Sequence, residues 1–107
     1  MYNTSPFPKW NPRVSFDGVH YFVIWEYSYF YNPPIGIFGA RVSIDGILID
    51  GPSDQIGLPI SGPPLCSSCR FVFPDILFNG DAYLVAWVNN SEVVGTTKDI
   101  QGVLLFP

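Results

Sequence analysis

The hydrophobic residues of this chain occur in short runs that turn-forming residues interrupt. Two of these runs are nearly alike, since FDGVHYFVIW occupies residues 16–25 and FNGDAYLVAW occupies residues 78–87. In both, an Asp-Gly or Asn-Gly pair lies between β-branched and aromatic residues. This is the strongest short-range signal of a β-hairpin, because a type I′ turn needs a positive φ at both central residues. The sequence therefore predicts two hairpins of the same kind.

Eight strands are predicted, four in each half of the chain. No apolar stretch has the spacing of a helix, and eleven prolines with ten glycines leave little room for a long one. Asp45-Gly46 marks one further turn. The predicted strands are 12–16, 20–26, 37–43 and 47–50, followed by 74–78, 82–88, 92–98 and 102–106. The fold class expected is all-β.

The two halves align with each other as an internal repeat. Residues 12–25 align without gaps with residues 74–87, and six of the fourteen positions are identical. Residues 37–48 then align with residues 93–104, which matches Gly39 with Gly95 and Gly46 with Gly102. One domain is expected over 1–107. Its predicted parts are a first repeat at about 9–61, a linker at 62–69 and a second repeat at about 70–107.

A repeated unit of four strands in about 40 to 50 residues is typical of a β-propeller blade. The residues of the first repeat that carry a specific pattern are Pro12, Phe16, Asp17, Gly18, Tyr21, Trp25, Gly39, Arg41, Val42, Asp45, Gly46, Leu48 and Asp50. With them the repeat resembles those of bacterial propeller-like proteins, whereas the second repeat departs at Thr97, Gln101 and Phe106. The resemblance implies two four-stranded antiparallel blade-like sheets, and it implies no activity.

Two blades cannot close a propeller, which uses about four to eight. The chain is 48% hydrophobic and only 13% charged, against about 25% charged in ordinary domains, so surplus apolar surface is expected. We therefore predict propeller-like assembly by homo-oligomerisation, with a trimer giving six blades as the favoured case. Two alternatives stay open. The chain is a piece of a longer array, or it forms a single eight-stranded barrel or sandwich.

The charge of the chain excludes two classes of partner. Five Lys and Arg residues without a basic cluster, in a chain of net charge −4, give no footprint for nucleic acid or for an anionic membrane. The apolar runs are too short for a transmembrane helix, and the first residues do not have the pattern of a secretory signal. The localisation expected is cytoplasmic by default, or extracellular if the chain belongs to a longer secreted protein.

The connection at residues 26–36 is the candidate binding segment. It contains Tyr27, Tyr29, Phe30 and Tyr31, and such rings offer large contact area together with a polar tyrosine hydroxyl. A lectin-like or small-molecule binding role, with a carbohydrate as the possible ligand, is the functional alternative. The competing interpretation is that these rings pack on the core or on a neighbouring subunit.

The remaining reactive side chains predict no catalytic, metal or cofactor site. Cys66 and Cys69 form a CxxC that fits a local disulfide or two idle thiols better than a zinc site, which needs four ligands. His20 lies near Asp17, but no serine or cysteine is evidently placed to complete a catalytic set. The leading expectation is therefore a non-enzymatic, self-associating structural or interaction module.

Overall fold

The all-β prediction is confirmed. The computed structural model describes residues 10–27, 36–50, 57–61, 69–91 and 99–107, and these form strands and turns without a helix. The strands are β1 (Trp10–Phe16), β2 (His20–Tyr27), β3 (Gly36–Ser43), β4 (Leu58–Pro59), β5 (Cys69–Phe78), β6 (Tyr83–Ser91) and β7 (Asp99–Leu105). They make two antiparallel sheets, a first sheet in the order β1-β2-β3-β4 and a second sheet in the order β5-β6-β7.

Both predicted hairpins are present, but their turns are not of type I′. Only the glycines have a positive φ, 97° at Gly18 and 105° at Gly80. The preceding Asp17 and Asn79 instead use a side-chain oxygen, which accepts hydrogen bonds from the backbone N–H groups two and three residues ahead at 2.8 to 2.9 Å. Because the side chain satisfies these donors, the residue before the glycine needs no left-handed conformation.

The predicted strand 47–50 is reduced to one isolated bridge, between Leu48 and Val42. The Asp50 carboxylate explains why the pairing stops here, since it accepts the backbone N–H of Arg41 at 2.5 Å and so takes the place of a ladder carbonyl. The edge of the first sheet is completed by β4, which pairs with β3 at Phe38 and Gly39. A side chain thus ends the strand that the sequence pattern extends.

In the second half the predicted bounds 102–106 are wrong. The strand is β7, and Gly102 lies in its middle, opposite Ala86, instead of at a turn. A Cβ at Gly102 would lie 2.8 Å from the carbonyl oxygen of Val85. A side chain at this position would therefore clash with β6, and glycine avoids the clash. The ladder position of Gly102 is that of Gly39, which lies opposite Ile24, so the expected match of Gly46 with Gly102 is also wrong. The predicted strand 92–98 lies outside the described residues.

The two sheets pack on one shared hydrophobic core, and β5 lies against the first three strands of the first sheet. The buried members of this core are Phe22, Ile24, Ile37, Phe71, Ile76, Tyr83, Val85 and Trp87. Alternate residues of β2 and β6 supply it, as expected from the two-residue period of a strand. The described strands form no closed barrel, so the barrel alternative is wrong for this part of the chain, whereas two sheets packed on one core correspond to the sandwich alternative.

Candidate functional site

The residues predicted to bind ligands lie mostly beyond the described segments. Tyr27 is the last residue of β2 and pairs with Gly36, so the connection begins and ends at one end of the first sheet. Tyr29, Phe30 and Tyr31 lie outside the described residues, as does Cys66. Cys69 is the first residue of β5 and pairs with Ser91. The binding role of these aromatic residues and the disulfide therefore stay predictions.

A polar cluster lies where the β1–β2 turn meets the second sheet. The Asp17 carboxylate is buried, and its Oδ2 lies 2.8 Å from Nδ1 of His20. The hydroxyl of Tyr83 reaches the same place, interacting with this carboxylate and donating a long hydrogen bond of 3.4 Å to the carbonyl oxygen of His20. The cluster therefore fastens the first hairpin to the second sheet.

The surroundings shift two pKa values in this cluster. Burial would raise the pKa of the Asp17 carboxyl, but the N–H groups of His20 and Val19 that it accepts, together with the nearby Tyr83 hydroxyl, outweigh burial and hold the pKa below its ordinary value. Burial, and then the hydrogen bond to Asp17 and its negative charge, raise the pKa of Tyr83 well above the usual range. The native state thus favours an ionised aspartate beside a neutral tyrosine.

Ser43 lies beside this cluster, a position that the sequence analysis did not predict. Ser43 is the ladder partner of His20 across β2 and β3, so Ser, His and Asp share one end of the first sheet. The Ser43 Oγ is taken up by the turn that follows, where it accepts the N–H of Ile47 at 3.0 Å. Nearby, the Arg41 guanidinium forms a salt bridge with Asp50, with 2.8 Å between Nη2 and Oδ1, and lowers the pKa of the Asp50 carboxyl. Among the described side chains, no hydrogen bond joins Ser43 to the imidazole of His20.

A second polar link is the buried carboxylate of Glu26, which is 6% exposed. Its Oε2 accepts the side-chain N–H of Asn11 at 2.6 Å and the backbone N–H of Phe73 at 2.9 Å. Both donors belong to β-bulges, where a residue with positive φ precedes a proline, at 50° for Asn11 and 53° for Phe73. One carboxylate therefore ties the bulge of β1 to the bulge of β5, across the two sheets.

The outer face of the second sheet is largely apolar, and none of the described residues covers it. Leu77, Leu84 and Leu104 lie directly opposite one another on β5, β6 and β7, and they are 66%, 48% and 54% exposed. Exposed Ile100 and half-buried Val88 form another pair on the same face. We call these five residues the leucine face. Between the leucine row and this pair lie Asp75, Ala86 and Gly102, which are also paired with one another across the three strands. Large exposed apolar patches on soluble proteins are commonly interaction surfaces.

The outer face of the first sheet is apolar as well, but it is covered at one end. Trp25, Phe38 and Ala40 are buried there, and a Cβ at Gly57 would lie 2.5 Å from the Trp25 ring. At the other end Val14, Phe16 and Tyr21 remain exposed, with the Phe16 and Tyr21 ring centroids 4.7 Å apart. We call these last three residues the tyrosine face.

In comparisons with known proteins, no family model, curated protein or solved structure matches the chain. The described residues include no helix long and apolar enough to cross a membrane. Nor do they bring together three or more His, Cys, Asp or Glu side chains that could hold a metal ion.

Sequence reasoning missed the leucine face and the role of Glu26, although both leave a signal. The run YLVAWV at residues 83–88 is apolar at consecutive positions, and a strand of that kind is ordinarily buried on both faces. Glu26 ends the apolar run HYFVIW at residues 20–25, and a carboxylate in such a strand requires hydrogen-bonding partners. Both signals pointed to contacts beyond the hairpin itself.

Proposed function

We propose that this protein is a non-enzymatic structural module that associates with further copies of itself. The observation that carries the proposal is the row of Leu77, Leu84 and Leu104, which spans all three strands of the second sheet and is open to solvent. Hydrophobic burial is the main favourable contribution to protein association. A sheet that is apolar on both sides is stable in water when something covers its second side.

The polar residues support the non-enzymatic part of the proposal. Three groups of catalytic residue type in and beside the polar cluster are engaged within the fold: Asp17 with its turn and with Tyr83, Ser43 with its own turn, and Asp50 with Arg41. Catalysis requires a nucleophile or base that is aligned toward a substrate position. Groups that hold the sheets together serve stability instead.

The size of the apolar surface favours an assembly in which many faces are covered together. The three leucines and Ile100 correspond to about two and a half fully exposed side chains, and burying them would contribute about 4 to 8 kcal/mol. Association costs at least about 4 kcal/mol of lost translational and rotational freedom. A single contact is therefore weak, and a closed ring of propeller-like units, three copies with six sheets, is the assembly that we propose.

The test is the solution mass, measured by light scattering on a sizing column with reductant present, so that intermolecular disulfides do not contribute. We expect a discrete multiple of the monomer mass at about 100 μM, and a monomer for Leu104→Glu. The matched control is Ile47→Glu, which places the same charge at an exposed residue of the turn after β3 that belongs to neither face and should keep the wild-type mass. A folded wild-type monomer at this concentration would refute the proposal.

A further inference from the structure

The two hairpins have the same local structure at positions 62 residues apart. Asn11 and Phe73 both have a positive φ and both precede a proline in a bulge. The Phe78 and Tyr83 rings contact each other with centroids 5.0 Å apart, as the Phe16 and Tyr21 rings do at 4.7 Å. Each position of one hairpin therefore has a counterpart in the other, and the surroundings of the two counterparts can be compared.

The contact between the sheets joins two different kinds of face. On the first sheet it uses Ser15 and Phe22, which meet Phe78 and Tyr83 of the second sheet. The Ser15 Oγ accepts the backbone N–H of Phe78 at 3.2 Å, and the Phe22 ring meets the Tyr83 ring edge-on at 5.3 Å. Glu26 adds the link to the bulge at Phe73.

The exposed residues of the two outer faces are counterparts of residues in the two faces already joined, although Trp25, the counterpart of Trp87, is buried in its own sheet's outer cluster. The counterparts of Ser15, Phe22 and Glu26 are Leu77, Leu84 and Val88, which belong to the leucine face. The counterparts of Phe78 and Tyr83 are Phe16 and Tyr21, which belong to the tyrosine face. The molecule thus presents one face of each kind, and the two lie on opposite outer sides of the pair of sheets.

We infer that copies of this chain stack head to tail, with the leucine face of one copy covering the tyrosine face of the next. The inference rests on the proposed self-association and deepens it by naming the mode and the contacts. Leu84 would pack on Tyr21 of the next copy as Phe22 packs on Tyr83, and Leu77 would meet Phe16. The intermolecular contact continues the interface within the chain.

The residue types fit such a repeated contact. At the positions where the internal interface uses the polar Ser15 and Glu26, the leucine face has Leu77 and Val88. Asp75 lies between them on the same side of the sheet, opposite Ala86, and its Oδ1 accepts the backbone N–H of Ile76 at 2.9 Å. Three strands about 5 Å apart make a narrow surface, smaller than the roughly 800 Å² per partner of a standard interface. Head-to-tail contacts of this size are favoured when the ring closes, because closure leaves no face uncovered.

The alternative mode is symmetric, with two leucine faces packed on each other. The two modes differ in the role of the tyrosine face, which only the head-to-tail mode covers. A mixing experiment separates them. Leu84→Glu blocks the leucine face and leaves the tyrosine face intact, whereas Val14→Glu blocks the tyrosine face at a residue that is 58% exposed and leaves the leucine face intact.

We expect each variant alone to be a monomer at a concentration where the wild type is assembled. An equimolar mixture should give a species of twice the monomer mass that contains one copy of each variant, because one intact leucine face meets one intact tyrosine face. Labelling one variant with a fluorophore and measuring its co-elution gives the composition. Circular dichroism and thermal unfolding establish that both variants are folded. If either fails to fold, Leu77→Glu and Tyr21→Gln replace them.

Three results would overturn the head-to-tail mode while leaving self-association intact. The first is assembly of Val14→Glu alone at the wild-type mass, which indicates paired leucine faces. The second is assembly of Leu84→Glu alone. The third is a mixture of two folded monomers that stays monomeric. A wild-type monomer would instead refute the proposed function itself, so the failures of the two proposals are distinguishable.

Discussion

Removing the Glu26 carboxylate should destabilise the protein strongly, because one oxygen atom serves both sheets. In Glu26→Ala the N–H of Phe73 and the side-chain amide of Asn11 lose their acceptor, which they reach at 2.9 and 2.6 Å. Hydrogen bonds to charged groups contribute about 1.5 to 3 kcal/mol each. We expect a loss of about 3 to 5 kcal/mol, which is a large share of the roughly 5 to 15 kcal/mol that holds a domain folded.

The matched variant is Glu26→Gln. Both hydrogen bonds end on the same oxygen, Oε2, so a glutamine carbonyl at that position can accept both and only the negative charge is lost. Charge-assisted hydrogen bonds are roughly twice as strong as neutral ones, so we expect Gln to cost about 1 to 2 kcal/mol. The predicted order of stability is wild type, then Gln, then Ala.

The assay is urea unfolding followed by the fluorescence of the three tryptophans. It should be carried out in the Leu84→Glu background, because association makes apparent stability depend on concentration. Equal losses for Gln and Ala would show that the charge, rather than the two hydrogen bonds, is what stabilises the contact. A loss below about 1 kcal/mol for Ala would refute the reasoning altogether.

Two further predictions concern backbone strain and pH. Phe73→Asn should raise the unfolding free energy by about 1 kcal/mol, because Asn tolerates the positive φ that a bulky residue adopts only with strain; a lower urea midpoint would contradict this. The pKa values of Asp17 and Asp50 lie below the ordinary 3.8, so the stability that their ionised forms contribute is complete above about pH 4 and is lost as the pH falls through the folded-state values. Asp50→Asn should therefore lose less stability than wild type between pH 5 and about pH 2, and equal acid sensitivity would refute the role of the Arg41 pair.

The sequence was sufficient for the features that depend on neighbouring residues. The hairpins at 16–25 and 78–87 were predicted because an Asp-Gly or Asn-Gly pair between apolar runs marks a chain reversal, although the type of turn expected there was wrong. The bounds of β7 were not predicted, because Gly102 resembles a turn glycine in the sequence. Its role in the structure is to avoid a clash with the carbonyl oxygen of Val85 in the neighbouring strand. Local patterns do not contain that contact.

The outer faces could not be derived for a similar reason. Alternation assigns Leu84 and Tyr83 to opposite sides of β6, but it does not say which side meets the first sheet. Packing decides this, through the contact of Tyr83 with Phe22 and with the turn at Asp17. The position of Glu26 at the end of an apolar strand likewise indicated that its carboxylate needs hydrogen-bonding partners. It did not indicate which residues these are, since Asn11 and Phe73 lie 15 and 47 residues away in the sequence.

The bulges of β1 and β5 also bear on the tendency of this apolar chain to form fibrous aggregates. Both strands lie at the edge of a sheet, where unpaired N–H and C=O groups invite another strand to add. Each edge is interrupted by a bulge and by Pro12 or Pro74, which has no N–H to donate. Strand addition is therefore hindered at these two edges, and in the assembly that we propose the contacts between copies form at the faces of the sheets, where a rotation between copies can end in a finite particle.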